Sequence, residues 1–184
     1  MKRAFVVGSG IAPMVLALLM GSGAASAERL PEQVPSSLRS LSAEEIRSLR
    51  DGEGMGLARA AEMNGYPGPA HVLEAVRQGK MHLYAEQRQA LERIHTAMKV
   101  EAQALGQQIL ALEALLEAGF RAGGMVEADL ARQVEDIGRK RAALRLTHLR
   151  AHLLTAGLMS AEQIEHYYQF RGFTTESPDR GHGH

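Results

Sequence analysis

The chain contains no cysteine among its 184 residues. It therefore has no disulfides, no thiolate metal ligands and no thiol nucleophile. Tryptophan is also absent, and four Tyr and four Phe make up the whole aromatic content. So few rings argue against a deep aromatic ligand pocket. The formal net charge is zero at pH 7, which argues against nucleic acid or an anionic membrane as the main partner.

Sequence patterns of the common enzyme classes are missing as well. We find no nucleophile elbow, phosphate-binding loop or zinc-protease motif, so we do not expect an enzyme. Gly52, Gly54 and Gly56 form a G-x-G-x-G string, but no strand pattern precedes it. We interpret this string as a flexible joint rather than a nucleotide loop. No segment alternates with period two for long enough to indicate a strand, which predicts an all-α fold.

Residues 1–27 have the features of a cleaved secretory signal peptide. Lys2 and Arg3 precede an apolar run that is densest at residues 11–20, and Ala25-Ser26-Ala27 is a small-x-small cleavage pattern. The apolar run is short and is interrupted by glycine and proline, which disfavours a membrane anchor. We therefore predict cleavage after Ala27, a periplasmic location and no stable membrane insertion of the processed chain.

The remainder divides into three parts. Residues 28–41, which contain Pro and several Ser, predict a flexible lead-in. Residues 42–173 carry the helical patterns and are predicted to form one domain. Residues 174–184 are dominated by Ser, Pro, Asp, Gly and His, which predicts a disordered, His-containing tail. Within the domain we expect short N-terminal helices, a long hairpin, and a C-terminal capping helix that begins with a capping box at Ser160.

The expected hairpin covers residues 84–156. Apolar residues recur at every third or fourth position on both arms, and the Gly123-Gly124 pair predicts a stop and a turn. A short turn makes the two arms antiparallel neighbours. A turn centred near Gly123 would bring Gly106 close to Gly138, so we expect the two arms to approach tightly there.

Three histidines of the hairpin predict a metal site. His148 and His152 are four residues apart on one helix, so both side chains leave the same face. The same register places His95, from the other arm, beside His152. Imidazole suits Zn, Cu, Ni and Co. We therefore predict a divalent transition metal bound by His148 and His152, with His95 as the third ligand.

Weaker ligands are also expected. Met98 is predicted to lie opposite His148, and its thioether suits Cu(I) or Co. His182 and His184 belong to a Gly-His-Gly-His end, which is typical of weak metal scavenging or of a solvated tail. The alternative for His148 is a core histidine bonded to a carbonyl, because this residue also lies on the apolar stripe.

Two short motifs suggest a family. Leu83-Tyr84-Ala85-Glu86-Gln87 opens the first long helix, and Met159-Ser160-Ala161-Glu162-Gln163 opens the last one. Both resemble the repeated L-T-x-x-Q motif of the Spy/CpxP family of periplasmic stress proteins, which includes a heavy-metal sensor and resistance branch (CnrX/ZraP-like). Tyr84 stands where the family has a capping Thr, which removes a cap typically worth about 1 kcal/mol.

The resemblance implies a cradle-like dimer of helical hairpins. It also implies three possible roles, of which we favour a periplasmic, metal-responsive envelope-stress protein of the heavy-metal sensing or resistance type. One alternative is an ATP-independent holdase chaperone, whose partners would be unfolded periplasmic proteins. Another is an inhibitory accessory protein that binds an envelope-stress sensor.

Overall fold

The computed structural model describes residues 38–172. The signal peptide, the start of the lead-in and the tail predicted above lie outside this range. Between residues 38 and 172 the chain forms helices and no strand, which confirms the all-α prediction. None of these helices combines the length and the apolar character needed to cross a membrane. The helices are α1 (Ala43–Asp51), α2 (Arg59–Glu62), α3 (Pro69–Arg77), α4 (Ala85–Ala122), α5 (Glu127–Leu158) and α6 (Ala161–Phe170).

Local sequence signals begin several of the helices. Ser42 and Glu45 form a reciprocal capping box at α1, with the Glu45 N–H donating to Ser42 Oγ at 3.1 Å. Ser160 and Gln163 form the second box at α6, and the N–H of Ser160 donates to Gln163 Oε1 at 2.9 Å. Pro69 occupies the first turn of α3, where a missing N–H costs no helical hydrogen bond. The predicted start of the C-terminal helix at Ser160 is confirmed.

The two long helices, α4 and α5, have 38 and 32 residues and lie against each other. Gly123, with φ +71°, ends α4 in the left-handed conformation that glycine adopts most readily. The Arg141 guanidinium of α5 contacts the Glu113 carboxylate of α4 at 2.7 Å. Gly157 lies inside α5, which continues to Leu158, two residues past the predicted end of the hairpin.

Gly106 has a different neighbour from the one predicted. A Cβ at this position would lie 1.9 Å from the backbone oxygen of Leu49, so α1 crosses α4 in backbone contact at Gly106. A Cβ at Gly138 would meet nothing within 4 Å. The predicted close approach of Gly106 and Gly138 is therefore wrong. A register counted from the turn gives only the partner on the other arm, whereas the glycine is required by a third helix.

The apolar core consists of two clusters, one near each half of the long helices. In the first, Tyr167 of α6 is fully buried against α3 and the start of α4. In the second, Leu49 of α1 packs on the middle of α4 and on α5. Between the two clusters α5 buries four polar residues, Thr147, His148, His152 and Thr155. The buried members of the clusters are Val72, Ala75, Met81, Leu83, Leu91, Tyr167 and Tyr168 in the first, and Leu38, Leu49, Ala102, Ile109, Leu110 and Leu144 in the second.

The glutamines of the two repeated motifs bind each other. Gln87 Nε2 donates to Gln163 Oε1 at 3.0 Å, and Gln163 Nε2 donates to Gln87 Oε1 at 3.1 Å. Gln87 also donates to the Leu158 carbonyl, and Gln163 donates to the His82 carbonyl. This clasp ties the start of α4 to the start of α6. It gives the glutamine of each motif a structural role.

Candidate metal centre

Four histidines line one cleft of about 440 Å³, which we call the histidine cleft. The long helices contribute His95 and Met98 of α4 and His148 and His152 of α5 to its lining. The loop between α1 and α2 and the turn that leads into α3 also line the cleft. The remaining lining residues are Gly52, Glu53, Gly54, Met55, Gly56, Ala58, Arg59, Glu62, Gly68, Pro69, Ala70, His71 and Lys99.

The ring of His152 is held in one orientation by the backbone. Its Nδ1 lies 2.8 Å from the carbonyl oxygen of Tyr66, and the side chain is only 9% exposed. A carbonyl oxygen can only accept, so Nδ1 carries the proton and the Nε2 of the neutral ring keeps its lone pair. A bond of this kind commonly fixes the tautomer of a metal-binding histidine.

Gly68 makes room for the same ring. A Cβ at Gly68 would lie 2.9 Å from both Cε1 and Nε2 of His152. The backbone of the turn before α3 therefore packs directly on the edge of the imidazole. The turn at residues 64–69 thus positions the His152 ring in two ways. Tyr66 supplies the hydrogen-bond acceptor, and Gly68, which has no side chain, leaves space for the ring.

His148 is the most deeply buried of the four histidines, at 3% exposure. Its Nε2 is buried and has no hydrogen-bond partner among the residues that the structure describes. Burial lowers the pKa of His148 below its usual 6.5, and the nearby His152 and Lys99 lower it further. The neutral ring is therefore the favoured form, and neutral imidazole is the form that binds metal. The carbonyl-bonded core histidine that we considered for His148 is found at His152 instead.

His95 and His71 lie closer to the cleft's rim. Burial, followed by the charges of Lys99 and Arg77, lowers the pKa of His95. His71 was not among the predicted ligands, and its Nδ1 contacts Glu62 Oε1 at 3.1 Å. Its pKa is also lowered, mainly by burial. No periodic signal pointed to His71, because it follows a Gly-Pro turn whose direction the sequence does not give.

The predicted ligands of the helical domain therefore line one cleft, although they do not form a completed site. Across residues 38–172, no group of three or more His, Cys, Asp or Glu side chains is gathered closely enough to hold a metal ion. His95 as a third ligand stays a prediction. Met98, at 9% exposure, lines the cleft with His148 and His152. His182 and His184 lie outside the described residues.

The cleft offers imidazole nitrogen, thioether sulfur and carboxylate oxygen as donors. His148 and His152, on adjacent turns of α5, line the same cavity. Nε2 of His148 is buried without a partner, and Nδ1 of His152 is bound to the Tyr66 carbonyl. Nothing in the cleft resembles a nucleophile paired with a general base. No known protein family, curated protein or solved structure matches this chain.

Proposed function

We propose that this chain binds a transition-metal ion in the histidine cleft, with Nε2 of His148 and Nε2 of His152 as the first two ligands. One observation carries the proposal: two buried rings stand on adjacent turns of α5, with Nε2 unpartnered at His148 and Nδ1 bound to the Tyr66 carbonyl at His152. A buried polar nitrogen without a partner is costly, and a bound metal would remove that cost. Because both rings project from one rigid helix, metal binding would cost little conformational entropy.

The proposed biological role is that of an exported, metal-responsive envelope-stress protein. The signal-peptide pattern of residues 1–27 and the L-T-x-x-Q-like motifs support this role. The glutamines of both motifs, Gln87 and Gln163, form the clasp that holds α6 on α4. In this proposal α4 and α5 form the helical hairpin of a cradle-like homodimer. Metal binding would stiffen the contact between α5 and the turn that contains Tyr66.

The test is calorimetric titration of Zn, Cu(II), Ni and Co into the purified protein. We expect one-site binding at micromolar or tighter affinity for at least one ion, and its loss in the His148→Ala/His152→Ala double variant. At an ion concentration of about 100 times Kd, binding should also stabilise the fold by about 2.7 kcal/mol, visible as a higher Tm.

Two control variants make the titration specific. His82→Ala removes an exposed histidine outside the cleft, and His182→Ala/His184→Ala removes the tail pair. Both should bind as the unchanged protein does. The proposal fails if neither these ions nor Cu(I) under anaerobic conditions binds, or if binding is lost with the tail pair and kept in the His148→Ala/His152→Ala variant.

A holdase chaperone is the second candidate, and the exposed apolar side chains of the long helices favour it. Leu146 and Leu153 lie seven residues apart on α5 and are 53% and 59% exposed. Arg150 lies between them on the same face, so apolar and basic groups alternate there. Such a mixed surface captures unfolded chains quickly and without tight fit. Further exposed apolar residues on or beside these helices are Val100, Leu115, Phe120, Val126, Val134 and Leu154.

Suppression of client aggregation by light scattering separates the two candidates. A holdase predicts suppression that survives His148→Ala/His152→Ala and weakens in Leu146→Ser/Leu153→Ser. Metal binding alone predicts no suppression by either form of the protein.

A further inference from the structure

We propose that the histidine cleft selects a soft monovalent ion, Cu(I) or its analogue Ag(I), and that the thioethers of Met55 and Met98 complete the site with the imidazoles of His148 and His152. This inference rests on the proposed function and deepens it by naming the class of metal. It assigns a softer ion than the divalent one that the sequence predicts. The two thioethers come from different elements that line the cleft, Met55 from the loop after α1 and Met98 from α4.

One oxygen of each carboxylate in the cleft already has a partner. Two carboxylates line it, Glu53 and Glu62. Glu53 Oε2 accepts from Ser48 Oγ at 2.9 Å. Glu62 Oε1 contacts His71 Nδ1 and Arg171 Nη2, each at 3.1 Å. With no cysteine in the chain, most of the donors that line the cleft are imidazole nitrogens and thioether sulfurs, which favour Cu(I) over harder divalent ions.

The number of ligands and the charges around them also favour Cu(I). The described residues gather no set of three His, Cys, Asp or Glu, as a closed tetrahedral zinc site would require. Cu(I) is satisfied by fewer and softer ligands, so two imidazoles and thioethers are enough for it. Lys99 and Arg59 also line the cleft. A monovalent cation is repelled less by these two charges than a divalent cation is.

Met55 has a strained backbone conformation. It is the one non-glycine residue with a positive φ in the part of the chain that the structure describes, at +43°. Methionine gains nothing from this conformation, which a glycine would adopt at lower cost. The side chain is 42% exposed, so burial of an apolar group does not explain the strain either. Strained residues at the edge of a cleft are typical of functional positions.

Met98 is placed differently but leads to the same conclusion. It is buried, yet it belongs to neither of the two apolar clusters. It lies on α4 three residues after His95, on the same helix face, and both line the cleft. Met98 therefore lines the same cleft as His148, whose buried Nε2 has no partner among the described residues.

The test measures Cu(I) affinity anaerobically, in competition with a chromophoric Cu(I) chelator. The variants are Met55→Leu and Met98→Leu, which keep the volume of the side chain and remove the sulfur. Met63→Leu is the control, because Met63 is exposed and lies outside the cleft. We expect each cleft variant to lose at least about tenfold in Cu(I) affinity, since even residues that only orient a ligand typically contribute that much. Zn(II) affinity should not change in any of the three.

A second readout needs no variant. In protein labelled with ¹³C at the methionine methyl groups, addition of Ag(I) in chloride-free buffer should shift the Met55 and Met98 resonances and leave Met63 unmoved. Unchanged Met55 and Met98 resonances, or equal Cu(I) affinity in all three variants, would overturn this inference. If Zn(II), Ni or Co still bound through His148 and His152, the proposed function would survive that result. If no ion bound at all, the proposed function would fall with it.

Discussion

At the scale of single residues, the position of the His152 ring depends on how closely the backbone at Gly68 approaches it. Gly68 has φ −81° and ψ 141°, a conformation that any residue adopts. Replacing it therefore costs nothing in backbone strain. The cost arises because a Cβ would lie 2.9 Å from Nε2 of His152. A substitution at Gly68 thus tests the position of the ring and leaves His152 itself unchanged.

We predict that Gly68→Ala displaces the His152 ring and weakens metal binding by about tenfold, the typical cost of losing a group that orients a ligand. Calorimetric titration of the bound ion measures the effect. Gly54→Ala is the matched control, because its Cβ would lie 3.9 Å from Nδ1 of His148, an ordinary contact distance. Equal affinity in the two variants would contradict the proposed role of the His152 ring.

At the scale of elements, two glycines on the long helices differ in what surrounds them. Gly106 of α4 touches the backbone of α1 at Leu49, whereas Gly138 of α5 faces open space. Sequence alone does not separate them, because both lie inside helical patterns. The difference arises from α1, whose backbone at Leu49 packs directly on α4 at Gly106.

We predict opposite effects from the same substitution at these sites. Gly106→Ala should destabilise the fold by about 1–3 kcal/mol, the usual range for overpacking, because α1 must move away from α4. Gly138→Ala should stabilise it by about 0.5–1 kcal/mol, because alanine favours a helix over glycine and nothing obstructs it. Chemical denaturation measures both values. A similar change of stability in the two variants would show that α1 does not contact α4 at Gly106.

The helical elements show how much of the fold follows from the sequence. The capping boxes at Ser42 and Ser160 and the turn at Gly123 are local signals, and the structure has helix ends at each. The partner of Gly106 is not a local property, so the hairpin register gave the wrong neighbour. The cleft divides in the same way. The spacing of His148 and His152 predicted a shared face, but the Tyr66 carbonyl and the His71 ring reach the cleft through turns whose direction the sequence does not give.

At the scale of the whole molecule, the end of the lead-in is attached to α4. The Glu117 carboxylate accepts from the backbone N–H of Arg39 at 2.8 Å and of Ser40 at 3.1 Å, and Leu38 is buried beside it. These hydrogen bonds, first among them the one from Arg39, lower the pKa of Glu117 from 4.5 to about 2. The ionised carboxylate thus holds the N-terminal segment on the second apolar cluster.

A pH dependence follows from this attachment. A carboxylate whose pKa is lowered on folding contributes stability that is complete above about pH 4.5 and is lost as the pH falls toward 2. We therefore predict that Glu117→Gln lowers Tm at pH 6 and that the difference from the unchanged protein shrinks at pH 3. Glu86→Gln, at an exposed position of α4, is the control and should change Tm little at either pH. A constant difference for Glu117→Gln would contradict the attachment.

The account of the whole molecule depends on one claim, that Nε2 of His148 and Nε2 of His152 bind the metal. Long-range ¹H–¹⁵N NMR of the histidine rings tests this directly, with Zn(II) and Ag(I) as diamagnetic probes. Before addition, we expect His152 as the Nδ1–H tautomer, because Tyr66 accepts that proton. On addition of at least one probe, the Nε2 resonances of both residues should shift together and reach saturation at one equivalent. If the His148 and His152 resonances stay in place with both probes while those of His182 and His184 shift, the metal binds at the tail and the central claim is wrong.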